Sequence, residues 1–188
     1  MKSLKYLCLI LCTVFFAAGC KHTAKKAEAP AKETSAVKDS TVYGVCGDGT
    51  AMHTLQLITD VGDTIEYTLL DSDGNPTDVQ GGLMAGDRMA VIGTTVDGER
   101  VGTHVINMTT LLGKWGSIDK NFEIEEGGVV KSYVKAESHP WTSWKIVNGK
   151  LLLNRDTFTI NSLGADSLLL ENNKGIFAYK HLLGTGEK

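Results

Sequence analysis

Trp144-Lys145-Ile146-Val147-Asn148-Gly149-Lys150-Leu151-Leu152-Leu153 carries the most decisive local signal in the chain. Asn-Gly accepts the two successive positive φ angles that a two-residue hairpin turn requires. The flanking runs, WKIV and KLLL, are equal in length and rich in large aliphatic side chains. The segment predicts a β-hairpin, and no stretch of the chain shows a sustained helical period that would argue for another class.

Working outward from that hairpin, short apolar runs recur between turn residues. Strands are expected at 112–118, 121–124, 129–134, 141–147, 150–153, 156–160, 167–171 and 175–180. Gly127-Gly128, Gly164-Ala165-Asp166 and Asn172-Asn173-Lys174 supply the other reversals. Up-and-down strands this short predict a small meander barrel or half-barrel over residues 111–188. Towards the N-terminus, runs at 41–46, 52–59, 64–70, 88–95 and 102–108 alternate apolar and polar residues, as in Ile65-Glu66-Tyr67-Thr68-Leu69. Asp48-Gly49, Gly62-Asp63, Asp73-Gly74 and Asp97-Gly98 separate them, and five such strands suit a small OB-type barrel over 41–110, which leaves no open edge. The fold class expected is all-β, with two small antiparallel barrels. The 21 glycines against 3 prolines fit a turn-rich chain of this kind.

Residues 1–40 read differently. A short basic start, Met1 to Tyr6, precedes the uncharged apolar run LCLILCTVFF at 7–16 and then Ala17-Ala18-Gly19-Cys20. Ten apolar residues match a signal-peptide core and are too few to span a bilayer comfortably. Small residues before a cysteine resemble the lipobox of bacterial lipoproteins, and Ala17 in place of the more usual Leu resembles the looser form found in Bacteroidetes. That resemblance implies cleavage after Gly19, lipidation of the Cys20 sulfur and a membrane partner reached through that anchor. In the lipoproteins that this leader resembles, an aspartate directly after the lipidated cysteine often signals retention in the inner membrane, so Lys21 in that place implies the outer membrane of the cell envelope. Residues 21–40 carry no aromatic and no aliphatic larger than Val37, so they predict a flexible linker between the lipidated Cys20 and the barrels.

Charge and cysteine use narrow the function. Residues 41–188 hold 12 Lys and Arg against 19 Asp and Glu, an acidic body that repels phosphate backbones and argues against a nucleic-acid partner. Of the four cysteines, Cys8 and Cys12 fall in the leader and Cys20 is the lipid acceptor, leaving Cys46 as a small buried hydrophobe rather than half of a disulfide. His22, His53, His104, His139 and His181 share no metal-ligand spacing, and no metal or cofactor is expected. Met52, His53, Met84 and Met89 would form a soft metal site only if folding gathered them. Asp71-Ser72-Asp73-Gly74-Asn75 imitates the start of a calcium loop, but Gly82 occupies the twelfth position and a solvated turn is expected instead. No Gly-x-Ser-x-Gly elbow or similar nucleophile setting occurs, Glu123, Glu125 and Glu126 read as a solubilising turn, and no catalytic residue is assigned.

The C-terminal motifs also resemble a family. Gly113-Lys114-Trp115 opening a meander resembles the Gly-x-Trp start of lipocalins. The order of Trp144 to Leu151, Asp156-Thr157-Phe158-Thr159-Ile160, Asp166-Ser167-Leu168-Leu169-Leu170 and Phe177-Ala178-Tyr179 is similar to that of short lipocalin-like lipoproteins of Bacteroidetes, in which a small β-rich unit often comes first. The resemblance implies a non-catalytic envelope lipoprotein binding a small apolar or amphiphilic ligand. Trp115, Tyr133, Trp141 and Trp144 are the candidate ligand-binding residues, with Pro140 able to re-aim one of the two closely spaced tryptophans. The alternative expectation is a module that docks another envelope protein and holds no small molecule.

Overall fold

The computed structural model describes residues 38–182, so the leader, Cys20 and most of the linker lie outside the described residues. Fourteen strands, one short α-helix and a 3-10 turn at Glu126–Gly128 make up this region. The first six strands are β1 (Val42–Cys46), β2 (Thr54–Thr59), β3 (Thr64–Thr68), β4 (Asp78–Gln80), β5 (Arg88–Val96) and β6 (Glu99–Asn107). Helix α1 (Met108–Leu111) follows, then β7 (Gly113–Gly116), β8 (Asn121–Glu125), β9 (Val129–Ser132) and β10 (Trp144–Val147). The described residues continue with β11 (Lys150–Leu153), β12 (Asp156–Leu163), β13 (Ser167–Asn172) and β14 (Gly175–His181).

Alternation in the first set becomes a closed barrel. Its strands run in the order β3-β2-β1-β5-β6, and a pairing of β3 with β6 joins the ends. Leu55, Leu57, Tyr67, Met89, Val91 and Val105 project inward and are sealed from solvent. Gly44 permits the close approach of the paired strands β1 and β2, since a Cβ there would sit 2.4 Å from the Ile58 carbonyl oxygen. The closing contact, Thr68 against Val101, is parallel, and β4 also lies parallel to β6. The barrel is therefore not purely antiparallel as expected. The physical reason is that four antiparallel pairings, an even number, separate β3 from β6 around the wall, so β6 comes up beside β3 in the same direction. Cys46 is buried, with its sulfur 3.3 Å from Thr50 Oγ1.

The second set forms an eight-stranded meander, β10-β11-β12-β13-β14-β7-β8-β9. A bridge between Val129 and Ser143, supported by donation from Val130 N to Thr142 O at 3.1 Å, brings β9 against the start of β10 and nearly closes the wall. The Asn148-Gly149 turn adopts φ of 49° and 71°, the paired left-handed angles that its sequence predicts. The interior is filled by side chains, among them Trp115, Phe122, Ile124, Ile146, Leu151, Leu153, Ile160, Leu168 and Leu170.

The two barrels meet through α1. Asn107 caps its start by accepting from Thr110 N at 3.0 Å, and the Trp115 indole donates to Leu111 O at 2.9 Å. Leu111 of α1 and Ala90 and Ile106 of the first barrel belong to the same apolar core as the second barrel. Gly81 N donates to Leu163 O, and the Tyr43 hydroxyl donates to Ile146 O. The chain leading into β1 is tied to the hairpin tip as well. Asn148 N donates to Thr41 Oγ1 at 2.8 Å and to Asp39 Oδ1 at 3.1 Å, while its side-chain oxygen accepts from Ser40 N at 2.8 Å and its amide nitrogen donates to Lys38 O at 3.3 Å.

Candidate functional site

One end of the second barrel is covered by α1 and the first barrel, and the opposite end is open. There, inward positions near the strand ends bring aromatic rings together. Phe122 meets Trp141 with centroids 5.1 Å apart and Tyr179 at 5.0 Å, Trp141 meets Phe158 at 5.7 Å, and Phe158 meets Phe177 at 6.0 Å. All four contacts are edge-to-face, the arrangement favoured by the ring quadrupoles. Beside them lies an open cleft of about 1190 Å³ that extends round β14, bordered on the barrel side by Trp141, Phe158, Phe177 and Tyr179, by the 117–120 turn, His139, Asp156, Asn172 and Lys174, and on the outer face by Leu169, Ile176 and Ala178. Its lining is mostly apolar with a few polar groups, which is the usual make-up of a small-molecule site.

Two polar groups stand within this aromatic setting. The Lys120 ammonium sits 4.1 Å from the Trp141 ring centroid and bridges to Glu137, joining the β7–β8 turn to the loop before β10 across the mouth. Burial holds the Lys120 pKa below its ordinary value, against the pull of the nearby Asp156 carboxylate. Tyr179, only 3% exposed, borders the cleft, and burial pushes its hydroxyl up to about 12.

Trp141 is held in place from behind. Asn154, in the β11–β12 turn with φ of 55°, uses its side-chain oxygen to accept from Thr142 N at 2.8 Å and Ser143 N at 3.1 Å. Its amide nitrogen donates to Pro140 O at 3.0 Å, and its backbone N to Ser143 O at 2.9 Å. This fixes residues 140–143 outside the strand proper, so Trp141 and Trp144 both turn inward, at 8% and 7% exposure. Three residues apart on an ideal strand they would face opposite sides.

Of the four candidates from the sequence, Trp141 alone borders the aromatic cleft. Trp115 is sealed in the core beside His181, its ring centroid 4.8 Å away. Trp144 donates to Glu125 O at 2.7 Å and borders a second, smaller cavity of about 490 Å³ with Tyr43, Met108, Leu112 and Arg88. Tyr133 is half-exposed on the outer wall, where its hydroxyl meets Glu123 and its ring lies under the Lys114 ammonium at 5.6 Å. The residues not nominated are Phe158, Phe177, Tyr179, Phe122 and Lys120. The available signal was the inward register of aromatics at one common end of the strands.

The remaining candidate chemistry stays apart. Met89 is enclosed in the first barrel whereas Met52 and Met84 are exposed. Asp71 spends its carboxylate on its own turn, accepting from Asp73 N and Asn75 N at 2.9 and 2.8 Å, and hydrogen bonding led by the Asn75 side chain holds it below the usual carboxylate range. Among the described residues, no group of three His, Cys, Asp or Glu side chains is placed to hold a metal ion.

Fold and site together define a two-barrel, all-β protein with an aromatic cleft at one barrel end. Comparison with known proteins finds no matching family model, no matching curated protein and no matching solved structure.

Proposed function

We propose that this chain is a non-catalytic envelope lipoprotein of the lipocalin-like Bacteroidetes kind, anchored to the outer membrane through Cys20, whose second barrel binds a small apolar or amphiphilic molecule. The observation that carries this reading is the open cleft of about 1190 Å³ bordered on the barrel side by Trp141, Phe158, Phe177 and Tyr179. The barrel's middle and covered end are packed with side chains, so the ligand occupies the open end rather than a deep calyx. Its apolar part lies against the rings, and a polar end meets the rim at Lys120, Asp156 or Lys174. The leader sequence and the acidic body support an extracytoplasmic setting with no nucleic acid.

The test is a fluorescence titration of the full chain with a fatty acid, a bile acid and a haem-like compound. Quenching or a blue shift of tryptophan emission that saturates, and that is lost in Trp141→Ala but kept in Tyr133→Ala, is the expected result. A flat response across the panel would sink the reading.

A further inference from the structure

The cleft opens sideways as well as upward, because β14 outruns its neighbour. Its pairing with β13 extends from Ser167 opposite Lys180 to Asn172 opposite Gly175, whereas its pairing with β7 covers only Lys180 and His181. In an antiparallel ladder, alternate residues turn both main-chain groups to the same neighbour. His181 N donates to Asp166 O on the β13 side, and Leu182 N donates to Lys114 O on the β7 side. Odd-numbered residues of β14 therefore serve β13. Ile176 and Ala178 each point an N–H and a C=O towards the open side, where no described strand pairs with them. The nearby 117–120 turn closes on itself, Ser117 N donating to Lys120 O at 2.7 Å, and leaves this edge bare.

The surroundings of the edge specify an occupant. Two donor–acceptor pairs one strand repeat apart, about 7 Å, match an extended backbone and exceed what a simple fatty chain could use. On the barrel side of the edge lie the rings of Phe177, Tyr179, Trp141 and Phe158, able to take one large apolar side chain. On the outer side Ile176 is 63% exposed and Ile118 fully so. Lys174 and Lys180 stand at the two ends of the bare stretch, a basic pair on a body in which acids outnumber bases 19 to 12.

We propose that β14 receives an extended segment of a partner protein as an added strand, with one large apolar side chain seated among the cleft's rings and acidic residues flanking it to meet Lys174 and Lys180. This goes beyond small-molecule binding but rests on the aromatic cleft being a binding site, so peptide and amphiphile compete for the same rings.

The probe is the capped heptapeptide EVTFTVE, whose central Phe faces the cleft when its Glu residues face outward, offered to the full chain. Binding should slow amide hydrogen exchange at Ile176 and Ala178 and displace a cleft-bound fluorescent fatty acid. The same peptide with N-methylated alternate amides keeps its apolar content but cannot pair, and should bind at least about tenfold more weakly. Ala178→Pro removes only the outward donor and should give the same loss of peptide binding; the methylated peptide tests pairing without relying on that variant's folding. Equal binding by parent and methylated peptides, or peptide binding without protection at Ile176 and Ala178, overturns the proposal. Fatty-acid binding with no peptide binding overturns it while leaving the small-molecule reading standing, and absence of both overturns the two together.

Discussion

Removing the Asn154 side chain should loosen the wall of the aromatic cleft without touching any ring in it. The residue combines a left-handed backbone with three side-chain hydrogen bonds of 2.8 to 3.1 Å to the main chain of residues 140–143. Asn154→Gly keeps the backbone freedom and deletes the bonds. Each such bond is worth about 0.5–1.5 kcal/mol net, and these are solvent-exposed, so the low end applies and the three sum to about 1.5 kcal/mol. The added flexibility of glycine in the unfolded chain contributes about 0.4–1 kcal/mol more, giving about 2 kcal/mol in total. Asn154→Ala loses the same bonds and replaces the flexibility term with a left-handed cost of about 1–2 kcal/mol, so it should be the worse of the two. Urea unfolding followed by far-ultraviolet circular dichroism measures the loss, and tryptophan emission of the folded state, shifted to longer wavelength as Trp141 meets water, reports its cause. A loss below about 0.5 kcal/mol for Asn154→Gly with unchanged emission would refute the assignment and show that ring packing alone places Trp141.

Three further outcomes are expected. In a spectrophotometric pH titration one tyrosine should ionise last, near pH 12, and vanish in Tyr179→Phe. Because its folded-state pKa is raised above the ordinary 10.0, the stability it contributes is fully present below pH 10 and is lost as pH climbs towards 12, a decline that unfolding midpoints should show and Tyr179→Phe should blunt. Lys120→Met cuts the bridge to Glu137 and leaves that carboxylate, 13% exposed, without its cation. The cost should be about 1–3 kcal/mol, read by thermal unfolding, with faster hydrogen exchange in the 117–120 turn and the 133–143 loop; unchanged exchange would show that the mouth is not latched by this pair. Cells labelled with a radioactive lipid precursor should mark the wild-type chain and not Cys20→Ala, and equal labelling would remove the anchor from the proposal.

Much of this architecture is legible in residues close together in the chain. Asn148-Gly149 and Asp97-Gly98 determine their hairpins through positive φ, and the strands around them match the structure to within a few residues because alternation and turn chemistry agree. What escapes is either too short or too distant. Asp78–Gln80 is a three-residue strand paired in parallel to β6, with no alternation to read, and Met108–Leu111 is one turn of helix, shorter than any helical period can register. At the site, Trp141 is legible as an aromatic at a strand approach. Phe122, Phe158, Phe177 and Tyr179 converge only because three strands are in a particular register around a nearly closed wall, and Lys120 reaches them from a turn with no apolar pattern of its own. Trp115 looks equivalent to Trp141 in sequence, yet its place at the covered end makes it core.

The clasp around Asn148 has a mechanical consequence. Lys38, Asp39, Ser40 and Thr41 all bond to this one residue at the tip of the β10–β11 hairpin before the chain enters β1. Tension applied through the preceding residues would be received at that tip as well as by β1, so a load from the N-terminal side is shared by both barrels. Asn148 thus serves as a strain relief, and the first bonds to give way under pull would be those that leave both walls intact.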